Sequence, residues 1–564
     1  MTRNDASPAV GHLIDVQGSV VIASLEEDEQ GQLPTVTFGD EDVIVGQIGS
    51  YLSILQGDIH IVAIVTRMSE QEALAAPSID TPGEQPARLP FAKRTIYLTP
   101  VGSVRPDGQF ERGVGQYPTT GAKLYALSSP DVAKMFDRFQ SKGFSVGNFV
   151  THKSLRVYPD PTSLFGRHLA ILGQTGSGKS WTVASLIQKT VNVMPKAHII
   201  LLDLHGEYCW KHEDGIRRYA FEGASVRHVD ARDLEIPYWL MTYAELCDLL
   251  IDRNEQTAHN QIAFFRDTVR TLREKEQSPL GLKRVTVDTP VYFSLDELVM
   301  IVESENSRMV QGQSKQIKGP LHGDFDRFLM RLFSRMNDVR YDFLLKPKAR
   351  TTSASLSGLL RDFVGLGTPK RPITVIDLSS VPFDVRPTVA AQIGRLAFEF
   401  NYWNPQYREF PILLVCEEAH AYIPRAAESQ FAGSRKSMER IAKEGRKYGV
   451  GLAVISQRPH ELSETVLAQC GTFICLRVTN PDDQTYVRSL VPESEGELVS
   501  VLAGLARGEA LMLGEAVPLP TRVKFDEPSP APNSEDIDFY TKWQSGPDDL
   551  DVDGIVQRWR DQER

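Results

Sequence analysis

The chain predicts an α/β protein: a parallel-sheet core built around a phosphate-binding loop, a helical insertion within that core, and a small β-barrel at the amino end. Three observations predict it. Short apolar alternations crowd residues 12 to about 128, apolar strands alternate with helical segments from about residue 150, and "GQTGSGKS" at Gly173–Ser180 joins such a strand to such a helix.

The barrel comes first. "HLIDVQGSVVIASL", "TVTFGDEDVIVGQIG", "IHIVAIVTRM" and "RTIYLTPVGSV" alternate apolar and polar residues between Gly, Asp and Pro, as short antiparallel strands do. "EALAAPSIDTPGEQPARLP" reads as a mobile loop between them. The core strands are "HLAILG", "HIILLDL", "PITVIDL", "PILLVC", "GLAVIS", "TFICLRV" and "EALMLG", enough for a doubly wound sheet. Between about 240 and 365 the strand signal fades, and Phe325, Phe328, Leu329, Leu332, Phe333, Met336 and Val339 fall on one helical stripe. Residues 1–145 are thus expected as barrel and linker, 146–240 and 366–525 as core, 241–365 as helical insertion, and 526–564 as an acidic, proline-punctuated, solvated tail.

Bulk properties narrow the class. The 564 residues suffice for roughly three or four domains of about 100–200 residues each. No apolar run reaches the ~18 residues of a membrane span and the first thirty residues lack a signal pattern, so a soluble cytoplasmic protein without a membrane partner is expected. The five cysteines are scattered, as reduced structural thiols are. A net charge of −11 argues against a nucleic-acid-coated protein but permits a local basic channel.

The chemistry begins at Gly173, Thr175, Gly176, Ser177 and Gly178, where glycines let successive N–H groups turn inward around phosphate oxygens and the following helix adds the positive end of its dipole. Lys179 is suited to the β- and γ-phosphates of ATP, Ser180 to Mg²⁺, and Trp181 and Glu207 are further candidates to contact the nucleotide. In "FPILLVCEEAHAYIPR" an apolar strand delivers Glu417 and Glu418 to its carboxyl end. Glu417 suits the metal and its waters; Glu418 suits taking a proton from the attacking water. In "DLHGEY", Asp203, His205 and Glu207 either tune the site or merely satisfy a turn or cap a helix. Several strands separate the loop from the acidic pair, and Glu stands where Asp is usual. Both features favour the ATPase class in which the two motif strands are not consecutive and a glutamate is the base.

"GRHLAILGQTGSGKSWT", "LLDLHGEY", "LLVCEEAHAYIP", "IAKEGRKYGVGLAVISQRP" and "QCGTFICLRVTNPDDQ", in that order from about 145 to 525, resemble the HerA family of hexameric DNA-translocating ATPases, relatives of FtsK with a RecA-like core. The resemblance implies Gln457 as a sensor of the γ-phosphate or attacking water, and Arg446, with Arg167 as a second, as arginines supplied to a neighbouring subunit's nucleotide. It implies a homo-hexamer that uses ATP and Mg²⁺ to move or unwind double-stranded DNA, with a nuclease or NAD-hydrolysing effector as partner, in DNA processing or antiphage defence. The alternative is an ATPase scaffold that assembles and gates an effector with little translocation; a protein-remodelling ATPase is disfavoured by Glu-Glu in place of Asp-Glu. Lys346, Lys348, Arg350, Lys370 and Arg371 are candidate DNA contacts, although charge runs are usually solvated faces.

Overall fold

The computed structural model describes residues 9–18, 20–26, 35–38, 41–71, 93–211, 215–223, 225–230, 233, 235–383, 385–425, 432–547 and 549–561. The expected loop "EALAAPSIDTPGEQPARLP" lies outside the described residues. The chain divides into two compact units that alternate along the sequence: residues 1–193, 456–460 and 467–528 form one, and residues 194–455, 461–466 and 529–564 the other.

In the first unit, six antiparallel strands close into a barrel. Their order is Val20–Leu25, Gly11–Gln17, Lys123–Ala126, Tyr51–Gln56, Ile59–Gln71 and Lys93–Val104, which pairs back to Val20–Leu25. The strands Tyr51–Gln56 and Ile59–Gln71 meet at a two-residue turn whose Gly57 has a φ of 61°, open to glycine at no steric cost. Irregularities at Val62/Ala63 and Val65/Arg67 bend the longest pair so that the barrel can close. The alternation seen in the sequence turns Leu13, Val21, Ile54, Ile61, Val65 and Leu98 into its filling, all buried.

The same unit contains Leu169–Leu172, parallel to Thr472–Cys475, and then Glu509–Gly514, Thr521–Phe525, Gly147–Phe149 and Arg156–Val157, each antiparallel to its neighbour. "EALMLG" is therefore not a parallel strand as the pattern suggested. It leads by a short connection into Thr521–Phe525, and such hairpin neighbours must run antiparallel. The barrel is fastened here by Tyr51, whose buried hydroxyl donates to the Pro520 carbonyl at 2.6 Å. Arg112 donates to the Gly514 carbonyl at 2.7 Å and pairs with Glu495 at 3.0 Å.

The second unit is organised by five parallel strands in the order Val450–Ser456, Ile412–Cys416, His198–Asp203, Ile373–Asp377 and Val226–Asp230. Ile412–Cys416 is buried along its whole length, which is why it reads as an unbroken apolar run. Between residues 241 and 365 the chain forms helices at Tyr243–Leu250, Ala258–Glu274, Leu295–Asn306, Asp326–Met336, Asp342–Leu345 and Ser355–Phe363, plus a hairpin of Met309–Gln311 and Gln316–Lys318. Phe325, Phe328, Leu329 and Leu332 are buried on its predicted stripe. Val339 is not part of that stripe: the helix ends at Met336 with Asn337 as its cap, and Val339 is 60% exposed.

Arg273 anchors the insertion. Completely buried, it donates to the carbonyls of Val287, Trp239 and Met241 at 2.5, 3.0 and 2.9 Å. Arg273→Ala would strip donors from three carbonyls and leave a cavity, so urea unfolding should show a loss of about 2–4 kcal/mol. A midpoint unchanged from the parent chain would show that the guanidinium contributes nothing there.

The expected tail carries two exposed helices, Phe539–Ser545 and Val552–Asp561; the first starts because Asp538 accepts from the Thr541 N–H. Among the described residues no helix is long and apolar enough to cross a membrane.

Candidate functional site

The phosphate-binding loop lies in the first unit, between the buried strand Leu169–Leu172 and the helix Lys179–Val193. Gly176 and Gly178 have φ of 73° and 100°, conformations that side chains other than glycine rarely adopt, and these two residues make the inward turn possible. The loop is drawn tight from inside. The Gln174 carbonyl accepts from the Ser177 hydroxyl at 2.6 Å and from Lys179 Nζ at 3.3 Å, while its side-chain oxygen accepts from the N–H and hydroxyl of Thr479 at 3.1 and 2.6 Å. Lys179 is only 8% exposed, with its ammonium folded over the loop it would serve.

Gln457 is brought against this loop. The Gly173 N–H donates to the Ser456 carbonyl at 3.2 Å, and the Thr175 hydroxyl donates to Gln457 Oε1 at 2.5 Å. A residue 282 positions away in sequence thus touches the phosphate cradle directly. Ser180 is half-buried one residue beyond Lys179. Trp181 is half-buried, with the Arg507 guanidinium 5.1 Å from its ring centre. Arg167 caps the helix Pro161–Gly166 and forms an ion pair with Glu515 within its own chain.

The acidic pair lies in the second unit, where the strand Ile412–Cys416 ends. Glu417 is 3% exposed and accepts a 2.8 Å hydrogen bond on Oε1 from the Tyr208 hydroxyl, while Oε2 is buried without a hydrogen-bond partner among the described residues. Burial, then the charges of Asp203 and Glu207, push its carboxyl well above the usual carboxylate range; the Tyr208 hydrogen bond opposes them and Glu418 adds to them. Glu418 is 9% exposed and held in the left-handed region at φ 44°, an uncommon conformation for a non-glycine residue. Its Oε2, without an aligned hydrogen bond, lies 3.3 Å from His420 Nδ1.

In "DLHGEY" the residues divide. Asp203, fully buried, accepts from the N–H groups of Gly206, Glu207 and Tyr208 at 2.8, 3.0 and 2.9 Å, and so holds the turn; a strand, Cys209–Lys211, follows instead of a helix. Burial chiefly pushes its carboxyl up to about 7. His205 is exposed, whereas Glu207 has a buried Oε2 without a hydrogen-bond partner. Buried carboxylate oxygens on Glu417, Glu418 and Glu207 that lack donors are the hard donors a cation such as Mg²⁺ takes, so the residues present fit one. Among the described residues no three His, Cys, Asp or Glu side chains form a metal site by themselves.

Arg446 stands exposed on the turn Gly445–Tyr448, without a carboxylate partner among the described residues. The candidate DNA contacts are more engaged than expected. Lys346 pairs with Asp342 at 3.7 Å, Arg350 with Asp362 at 3.8 Å, and Arg371 donates to the Gly223 carbonyl, while the side chains of Lys348 and Lys370 are exposed. Sequence reasoning missed Tyr208, His420 and Thr479. All three sit inside stretches already quoted; His420 lies two residues from Glu418, whereas the partners of Tyr208 and Thr479 are 209 and 305 positions away in sequence.

Comparison with known proteins agrees with this picture. Residues 144–397 match the family model described as "Helicase HerA, central domain". The probable DNA double-strand break repair helicase HerA of Methanocaldococcus jannaschii is 28% identical over 435 residues, covering 71% of this chain and 80% of that protein. The DNA double-strand break repair helicase HerA of Sulfolobus acidocaldarius is 26% identical over 562 residues, 98% of this chain and 99% of that one. Among solved structures, VirB4 of Thermoanaerobacter pseudethanolicus aligns with a TM-score of 0.44 at 16% identity, covering 68% of this chain and 96% of that chain. The central region thus matches the HerA family model, and over most of its length the chain is similar to HerA helicases.

Proposed function

We propose that the chain is a ring-forming ATPase, a homo-hexamer in the cytoplasm that hydrolyses ATP at subunit interfaces to translocate or unwind double-stranded DNA together with a nuclease or NAD-hydrolysing effector, in DNA processing or antiphage defence. The observation that carries this is the acidic strand end, where Glu417 and Glu418 are buried with carboxylate oxygens lacking donors, in a chain that also holds a complete phosphate-binding loop touched by Gln457. Lys179 and the loop N–H groups from Gly173, Thr175, Gly176, Ser177 and Gly178 bind the phosphates, with Trp181 and Glu207 as further nucleotide contacts. Ser180 and Glu417 would hold Mg²⁺, which when bound neutralises phosphate charge. Glu418 accepts the proton of the water that attacks the γ-phosphorus, Gln457 orients that water, and Arg446, with Arg167, contributes positive charge to a neighbour's transferred phosphate.

DNA-stimulated ATPase activity measured across a salt series tests the motor. Phosphate contacts release counterions, so stimulation should fall by roughly ten-fold or more between about 50 and about 200 mM salt. An ATPase rate indifferent to DNA and to salt would leave the gating scaffold instead; the pairing of Lys346, Arg350 and Arg371 within the chain is what keeps that reading alive.

A further inference from the structure

The helix Arg386–Trp403 ends in an aromatic surface braced by an arginine, wholly within the second unit. Tyr402 and Trp403 meet edge to face with ring centres 5.0 Å apart, and Tyr402 also packs on Tyr448 at 5.0 Å. Both tyrosines rest on the buried Phe398, at 5.9 and 5.5 Å. The Arg440 guanidinium lies 4.8 Å from the Phe398 ring centre and 5.9 Å from that of Tyr402.

Trp403 is 75% exposed, yet it is held in place. Its Nε1 donates to Glu399 Oε2 at 2.8 Å, one helical turn back, and Glu399 in turn faces Arg440 at 4.0 Å. Fixing an indole costs rotamer freedom, while leaving it in water forgoes most of what burying its apolar area would contribute. An indole fixed by a hydrogen bond and a ring contact with its face still open is pre-organised to be covered. Tryptophan, tyrosine and arginine are also the residues that dominate the centres of protein interfaces.

What covers it is indicated by Arg446. Tyr448 ends the turn Gly445–Tyr448 that carries Arg446, so the aromatic cluster and that arginine belong to one surface. The turn precedes the strand Val450–Ser456, whose Val450 pairs with Ile412, whereas Glu417 and Glu418 follow the far end of Ile412–Cys416. At ~3.3 Å per residue that strand alone puts about 13 Å between its two ends. Arg446 therefore stands at the opposite edge of the sheet from the acidic pair of its own chain, and the acidic pair it can serve is another copy's. Charge agrees with such a partner: Arg408, Arg446 and Lys447 are exposed here without carboxylate partners among the described residues, on a chain of net charge −11.

We infer that this patch seats a second copy of the chain, with Trp403 as the anchor that becomes buried and Arg446 carried on the same surface toward the neighbour's nucleotide. The inference rests on the ring-forming reading above and adds to it the surface by which copies join.

Sedimentation of the full chain over a concentration series, with Mg-ATP present, tests this surface. Trp403→Ala should raise the concentration of half-assembly by at least about thirty-fold, the loss typical of a central tryptophan, and ATP turnover should shift along the concentration axis by the same factor. Because the indole lies mostly in water, the variant should melt at the parental temperature when both chains are dilute enough to be single copies. Lys447→Glu reverses a charge on the same surface without touching the rings, and should weaken assembly as well. Parental assembly in both variants would overturn the patch as the joining surface while leaving the ring intact; parental assembly with loss of DNA binding would overturn it too, and give the patch to nucleic acid. A parent chain that stays single at every concentration would remove the ring-forming reading, and this surface with it.

Discussion

Glu418→Gln should bind ATP as tightly as the parent chain and hydrolyse it about 10²–10⁴-fold more slowly, the range expected when a positioned general base is lost. The amide has the shape of the carboxylate, so the buried strand end it occupies need not rearrange, but it cannot accept a proton from water. Burial at 9% exposure, the constrained backbone at φ 44° and the nearby His420 imidazole place this carboxylate far more definitely than a surface glutamate would be placed. Single-turnover hydrolysis with quenched-flow sampling separates the chemical step from nucleotide binding. Hydrolysis at the parental rate would remove Glu418 as the base.

Arg446→Ala should lose about 10³–10⁵-fold in turnover, the contribution of an arginine at a transferred phosphate. The case rests on exposure: Arg446 lies on a short turn without a carboxylate partner among the described residues, whereas Arg167 is tied to Glu515 in its own chain. If it acts on a neighbour's nucleotide, mixing Arg446→Ala with Lys179→Ala rebuilds some interfaces with both an intact loop and an intact arginine, and part of the activity returns. No recovery at any mixing ratio would confine Arg446 to its own subunit or to solvent.

The parts of the fold legible in sequence were those where burial is symmetric or alternation is clean. The strand Ile412–Cys416 and its neighbours read as apolar runs because both faces are covered, and the barrel strands read as alternations because one face fills the interior. Val226–Asp230 was not legible. Its sequence, "VRHVD", is only half-buried at the sheet's margin, so charged residues dilute the signal. Gly147–Phe149 and Arg156–Val157 were too short to announce themselves. At the site, the loop and the acidic pair were visible as local patterns and Gln457 only through the family resemblance, whereas the hydroxyl of Tyr208 on Glu417 and the grip of Thr479 on Gln174 arise only when distant segments meet. Arg273 is a further residue that no sequence pattern marked: it lies in the helix Ala258–Glu274, and its buried guanidinium meets three main-chain carbonyls from outside that helix.

The ring of six strands at the amino end has a consequence for recruitment. With each of those strands paired on both sides, the barrel has little main chain left for another polypeptide to zip onto, so β-augmentation and runaway strand exchange between copies are largely denied to it. Whatever docks on that module must be selected by the shape and chemistry of side chains and connecting loops, which can diverge from one homologue to the next while the hydrogen-bonded frame beneath them stays the same.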